Sequence, residues 1–183
     1  VIDYVNANPG TVTVGCTGSN NVNYGTTMEL LKAMGIYDKV TIVPYDGGAA
    51  SETAPQGGHI QLEVNSLADT SSYIAAGTNV PLMICNDSRI DAYPDLPTTV
   101  ENGFNVTYGK PRGFFAPAGT DAAVLSYISE KMAEVCEMPE FQEAMANLGF
   151  TVAYVDGPAA KERAVSWAES LTPVFEEMAN IGG

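Results

Sequence analysis

The sequence predicts an α/β protein with a parallel or mixed sheet, and three observations support that fold class. Short apolar runs of strand length alternate with longer stretches of helical periodicity. Gly, Pro and Asn punctuate nearly every junction between them. Hydrophobic residues fill 45% of the 183 positions, enough to pack the core of one domain or of two small ones.

Residues 1–10 read as the last turns of a helix closed by Pro9-Gly10, so the chain opens as a piece of something longer would. Thr11-Val12-Thr13-Val14 is strand-like. It empties into the loop Gly15-Cys16-Thr17-Gly18-Ser19-Asn20-Asn21-Val22-Asn23-Tyr24-Gly25, and a helix follows with Met28, Leu30, Leu31 and Met34 apolar. Val40-Thr41-Ile42-Val43 is the second strand, cut off by Pro44. A weak helix is expected over 49–54, stopped by Gly57-Gly58. Residues 60–64 alternate apolar and polar, as a strand with one wetter face would. Asp69 is expected to cap a helix that ends at Gly77, with another strand over 80–85.

Residues 86–112 are polar, rich in Pro and Tyr and poorly periodic, with a short helical turn expected near Val100. They read as a crossing between two lobes. Residues 113–117 then read as a short strand, and Asp121 caps a helix whose stripe is Leu125, Ile128, Met132 and Val135. Pro139 begins a helix ended by Gly149, and 151–155 form a strand. The last helix starts with Pro158 at its first position and carries Trp167, Leu171, Val174 and Met178 on one face, with a kink expected at Pro173.

Acidic residues outnumber basic ones 22 to 8, a formal charge of −14. Eight scattered cations cannot supply the basic face that nucleic acid or an anionic membrane requires. No apolar run has the length of a membrane span. Cys16, Cys85 and Cys136 lack metal-ligand spacing, so no zinc site, disulfide framework or cofactor is expected. Cys85 and Cys136 suit buried positions.

The loop after the first strand carries most of the chemistry. A strand that runs through Gly, Ser and Asn into a helix start leaves several N–H groups unpaired, at the positive end of the helix dipole. That arrangement suits a small anion. Few of its side chains could transform a bound molecule. The competing reading is a glycine-rich turn that only redirects the chain, since the loop matches neither the P-loop nor the dinucleotide fingerprint.

Taken in order, the landmarks resemble the periplasmic substrate-binding proteins of tripartite tricarboxylate transporters, the TctC-like or Bug family. The matching stretches are Asn8-Pro9-Gly10, the 15–25 loop, Val43-Pro44-Tyr45-Asp46-Gly47-Gly48, Gly57-Gly58-His59-Ile60, Tyr93-Pro94-Asp95-Leu96-Pro97-Thr98 and residues 112–120, with Asn147-Leu148-Gly149-Phe150 near the end. The resemblance implies a periplasmic-binding-protein-like (type II) architecture of two α/β lobes around a cleft. Residues 1–109 would be one lobe, nearly complete. Residues 110–183 would be the segment returning to the other, which would lack its N-terminal part. It also implies a periplasmic receptor that captures a small organic carboxylate and delivers it to membrane components of the transporter. A chain with half its cleft is expected to bind weakly or not at all, and to self-associate through Leu125, Ile128, Trp167 and Leu171.

The residues that the resemblance points to as ligand-binding are Cys16, Thr17, Gly18, Ser19, Asn20 and Asn21 in the loop, Tyr45 as a cleft wall, and Asn65 and Ser66 after the third strand. Without it, Tyr45 reads as a packing residue. Cys16 stands where members often have Ser, and Asp46 where they often have Lys. A carboxylate at 46 disfavours an anion nearby, so a ligand less charged than a tricarboxylate is expected. Two other readings come from different classes: a cysteine-dependent hydrolase using Cys16, and a ligand-sensing interaction module. Pairing Cys16 with His59 needs contact, yet the turn holding His59 belongs at the opposite edge of the sheet. Glu63 and Asp69 suit solvated or capping positions. Arg112 suits a surface ion pair better than a carboxylate clamp.

Overall fold

The computed structural model describes residues 1–107, 112–148 and 150–181. Three strands, β1 (Val12–Thr17), β2 (Val40–Tyr45) and β3 (Leu62–Val64), form a parallel sheet in the order β2-β1-β3. Val12 aligns with Val40, and Val14 with Leu62. Parallel strands need crossovers, supplied here by helices α2 (Val22–Ala33) and α3 (Gly48–Thr53). The chain steps from β1 to one neighbour and then back across to the other. Right-handed crossovers in opposite directions place α2 and α3 on opposite faces. Pro44 costs nothing in the ladder, because β2 is an edge strand.

Alternation within β1 sends Val12, Val14 and Cys16 to one face. There Val12 and Val14 pack with Val5 of helix α1 (Ile2–Ala7), Leu31 of α2 and Ile36, all buried. Gly15 faces the other way. Helix α2 is buried on more than one side. Its Met28 is fully enclosed and packs against Val174 and Met178 of the long C-terminal helix. Gly25 permits that crossing, since a Cβ there would lie 3.0 Å from Val174 Cγ1. Lys32 adds ion pairs to Glu177 and, at 3.4 Å, to Glu29.

Helix α4 (Leu67–Ala75) begins earlier than expected. Ser66, not Asp69, is its N-cap residue, and Asp69 lies in the first turn. Residues 80–85 form no strand. Their ladder contact is a single parallel bridge between Ile84 and Thr98. Thr98 and Glu101 exchange hydrogen bonds at 2.8 and 3.0 Å in a capping-box arrangement over a turn, near the expected helical turn at Val100.

The chain divides into two units: residues 1–110 with 174–183, and residues 111–173. The expected boundary between 109 and 110 lies outside the described residues. In the second unit Asp121 caps helix α5 (Ala122–Glu137) by accepting the Ala123 N–H at 2.8 Å. Helix α6 (Pro139–Asn147) starts on its proline, while Gly149 is outside the described residues. Helix α7 (Gly157–Ile181) contains Pro173, and the division between units falls directly after it. Residues 113–117 and 151–155 are apolar enough for strands but are not strands. A strand is stabilised by its partner ladder, and none pairs with either segment among the described residues. Phe114 and Phe115 are consequently exposed. Leu125 and Ile128 are also exposed, but Leu171 is buried and Trp167 half-buried, so only part of the expected apolar face lies open.

Candidate functional site at the carboxyl ends of β1 and β3

In an open parallel sheet, ligands bind where neighbouring strands send their chains in opposite directions. Here that point lies between β1 and β3. Thr17 closes β1 and Asn65 follows β3. The Thr17 hydroxyl donates to Asn65 Oδ1 at 3.3 Å, tying the two strand ends together. Asn23, in the first turn of α2, donates from Nδ2 to the same oxygen at 3.4 Å, and the Ser66 N–H donates to it at 2.9 Å.

Asn21 is the N-cap of α2. Its Oδ1 accepts the N–H groups of Asn23 at 2.9 Å and Tyr24 at 3.2 Å. Gly18 adopts φ +73°, and a Cβ there would lie 2.1 Å from Asn21 Nδ2. Only glycine allows the loop to fold over that amide. The Gly18 N–H donates to the Tyr45 carbonyl at 2.9 Å and is not free for a ligand. Ser19 and Asn20 are exposed, and their N–H groups have no partner among the described residues. They sit just ahead of the positive end of α2.

Sequence reasoning brought most of this set together. Thr17, Asn65 and Ser66 share one hydrogen-bond network that reaches Asn21 through Asn23, Gly18 lies against the Asn21 amide, and Ser19 and Asn20 follow in the same loop. Tyr45 is half-buried, and its ring comes within 3.3 Å of where a Gly15 Cβ would stand, so it packs over the sheet. Cys16 presents no surface at all. Burial pushes its thiol up to about 11, only partly offset by the Thr27 hydroxyl, so it is protonated at neutral pH. His59 is exposed and precedes the start of β3, away from the end where Cys16 aligns with Val64. No feature of this arrangement supports a hydrolase. Cys85 and Cys136 are half-buried rather than enclosed. The Arg112 guanidinium lies 4.6 Å over the Phe150 ring.

One residue set aside as solvated proves central. Glu63 accepts from Asn65 Nδ2 at 3.1 Å and the Ser51 hydroxyl at 3.0 Å through Oε1, and from Asn79 Nδ2 at 3.5 Å through Oε2. Burial raises its pKa despite the Asn65 and Ser51 hydrogen bonds, and the negative charges of Glu52 and Asp69 add to the rise. Asn65 is two positions away, but Ser51 and Asn79 lie 12 and 16 positions away in sequence, so no local signal marks the full set.

The switch point of the parallel sheet thus carries a cluster of side-chain amides and hydroxyls, with the Glu63 carboxylate behind Asn65. The family model for the tripartite tricarboxylate transporter family receptor, TctC, matches residues 1–166. The chain belongs to this receptor family. A curated relative, the "UPF0065 protein in gbd 5'region" of Cupriavidus necator, is 27% identical over 97% of this chain and 53% of its own length. The chain thus spans about half the length of that relative. Among solved structures, R. palustris Rpa4515 with adipate superposes with a TM-score of 0.76 at 19% identity, over 98% of this chain and 59% of that one. MatC from Rhodopseudomonas palustris with bound malate superposes at 0.67 and 21% identity, over 98% and 60%. The fold is that of the periplasmic binding proteins, with this chain corresponding to part of it.

Proposed function

We propose that the protein is an extracytoplasmic solute-binding receptor that captures a small organic carboxylate, with the loop at 17–21 and Asn65 as its anion contact. The observation that carries this reading is the orientation of two amides. Asn21 and Asn65 both turn their oxygens inward onto protein donors. That leaves the Asn21 Nδ2 hydrogens and one Asn65 Nδ2 hydrogen, the other going to Glu63, without a protein partner among the described residues, and the N–H groups of Ser19 and Asn20 likewise have none. These unpartnered donors match a carboxylate, with Glu63 engaging only the other Asn65 N–H, at 3.1 Å. Family membership and the adipate and malate carried by the two superposed proteins support the same ligand class. A periplasmic location and delivery to membrane components belong to this proposal. Among the described residues no helix is long and apolar enough to cross a membrane.

The test is a two-dimensional amide NMR titration of the chain with succinate, adipate and malate, against sodium chloride at equal ionic strength. Saturable shifts at Ser19, Asn20 and Val22 are expected with the carboxylates alone. Shifts that chloride reproduces, or that map elsewhere, contradict the reading.

A further inference from the structure

We propose that Glu63 is a positioning residue: it holds the Asn65 side chain so that an N–H, and not the amide oxygen, is left for the ligand. This rests on the carboxylate-receptor reading above. An asparagine amide is two-faced, with an accepting oxygen and a donating nitrogen on either side of a single bond. Which face a ligand meets depends on what the protein has already engaged.

At Asn65 the protein engages both. Oδ1 receives three donors: the Ser66 N–H, the Thr17 hydroxyl and Asn23 Nδ2. Nδ2 gives one hydrogen to Glu63 Oε1 at 3.1 Å. Turning the amide over would set its oxygen against the Glu63 carboxylate and its nitrogen against three donors. Of these four contacts only Glu63 is charged, and hydrogen bonds to ionised groups are the strong ones. Glu63 is itself fixed by Ser51, which is fully buried, and by Asn79. One Nδ2 hydrogen of Asn65 remains without a partner among the described residues. It is a donor, as a carboxylate ligand requires.

Glu63 also carries a negative charge next to the anion contact, which opposes binding. Orientation and charge are therefore separable by substitution. Glu63→Gln keeps an acceptor for Asn65 and Ser51 and removes the charge. Glu63→Met removes the acceptor. Succinate affinity is expected to be unchanged or tighter in Glu63→Gln. In Glu63→Met, which lacks the charge as well, it should be about 5-fold weaker than in Glu63→Gln, the effect of one hydrogen bond. The Asn65 side-chain NH2 resonances should move in Glu63→Met and stay near their wild-type positions in Glu63→Gln. Succinate affinity equal to that of Glu63→Gln and wild-type Asn65 resonances in Glu63→Met would overturn the proposal while leaving the receptor reading intact. If the wild-type chain shows no succinate response, the receptor reading fails instead, and the Asn65 resonances still test the orientation. Should Glu63→Met not fold, Asn65→Asp in the Glu63→Gln background keeps a hydrogen bond between the two positions but replaces the outward donor with an acceptor. It is expected to abolish the succinate response, and a retained response would overturn the proposal.

Discussion

Gly15 and Ile60 approach so closely that a Cβ on the glycine would lie 2.3 Å from Ile60 Cδ1. Glycine at 15 is thus a packing requirement of the sheet face opposite α2. Gly15→Ala should destabilise the chain by about 1–3 kcal/mol through overpacking. Ile60→Val removes the offending Cδ1 at a cost of roughly 0.5–1.5 kcal/mol by itself. In urea denaturation the double variant should be more stable than the sum of the single effects implies. Strict additivity would mean the two side chains do not meet as described.

Asn21 combines two roles that substitution can separate. Asn21→Ala removes the cap of α2 and should cost about 1 kcal/mol of stability. Asn21→Asp preserves the cap, and its charge suits the helix N-terminus. That same charge should repel a carboxylate, so Asn21→Asp is expected to keep its melting temperature and lose its succinate response. A variant that binds as well as the wild type would exclude this amide from the site.

Much of this region was legible in the sequence because its signals are local. The strand, the Gly/Ser/Asn loop and the helix after it follow one another within a short stretch and obey short-range rules, although the N-cap role of Asn21 was missed. The burial of Cys16 was missed as well: the strand-like run ends at Val14 and leaves Cys16 in the ligand loop, whereas β1 continues to Thr17 and period-2 alternation carries Cys16 to the buried face of Val12 and Val14. Residues 80–85, 113–117 and 151–155 illustrate the converse. Their composition suits strands, but a strand depends on a neighbour that local sequence does not name. Glu63 was missed for a related reason: its role is created by Ser51 on α3 and by Asn79, beyond α4.

Cys16 should resist alkylation in the folded chain. With its thiol pushed up to about 11, only about one molecule in a thousand carries the thiolate at pH 8, and the sulfur is enclosed. Iodoacetamide labelling followed by peptide mass mapping should modify half-buried Cys136 first, and Cys16 only when urea opens the structure. Rapid, selective labelling of Cys16 in buffer would revive the cysteine-hydrolase reading.

Glu63 imposes a pH dependence of definite sign. Its folded pKa is raised above the ordinary 4.5, so the folded state holds the proton more tightly than the unfolded chain. The stabilisation this gives is fully present below about pH 4.5 and is lost as pH rises through the raised value. Glu52 acts in the same direction, whereas Glu101, lowered by the Thr98 N–H and Arg89, acts in the opposite one. Comparing Glu63→Gln with the wild type isolates the Glu63 contribution. In melting experiments the variant should gain stability near neutral pH, and that gain should shrink on acidification toward pH 4.5. A gain that does not change with pH would show that Glu63 titrates normally.

The most direct measurement is a crystal structure of the chain soaked with succinate. The expected result is carboxylate density within hydrogen-bond distance of the Ser19 and Asn20 N–H groups and of the side-chain nitrogens of Asn21 and Asn65. Succinate bound elsewhere, with that cluster left vacant, would contradict the account.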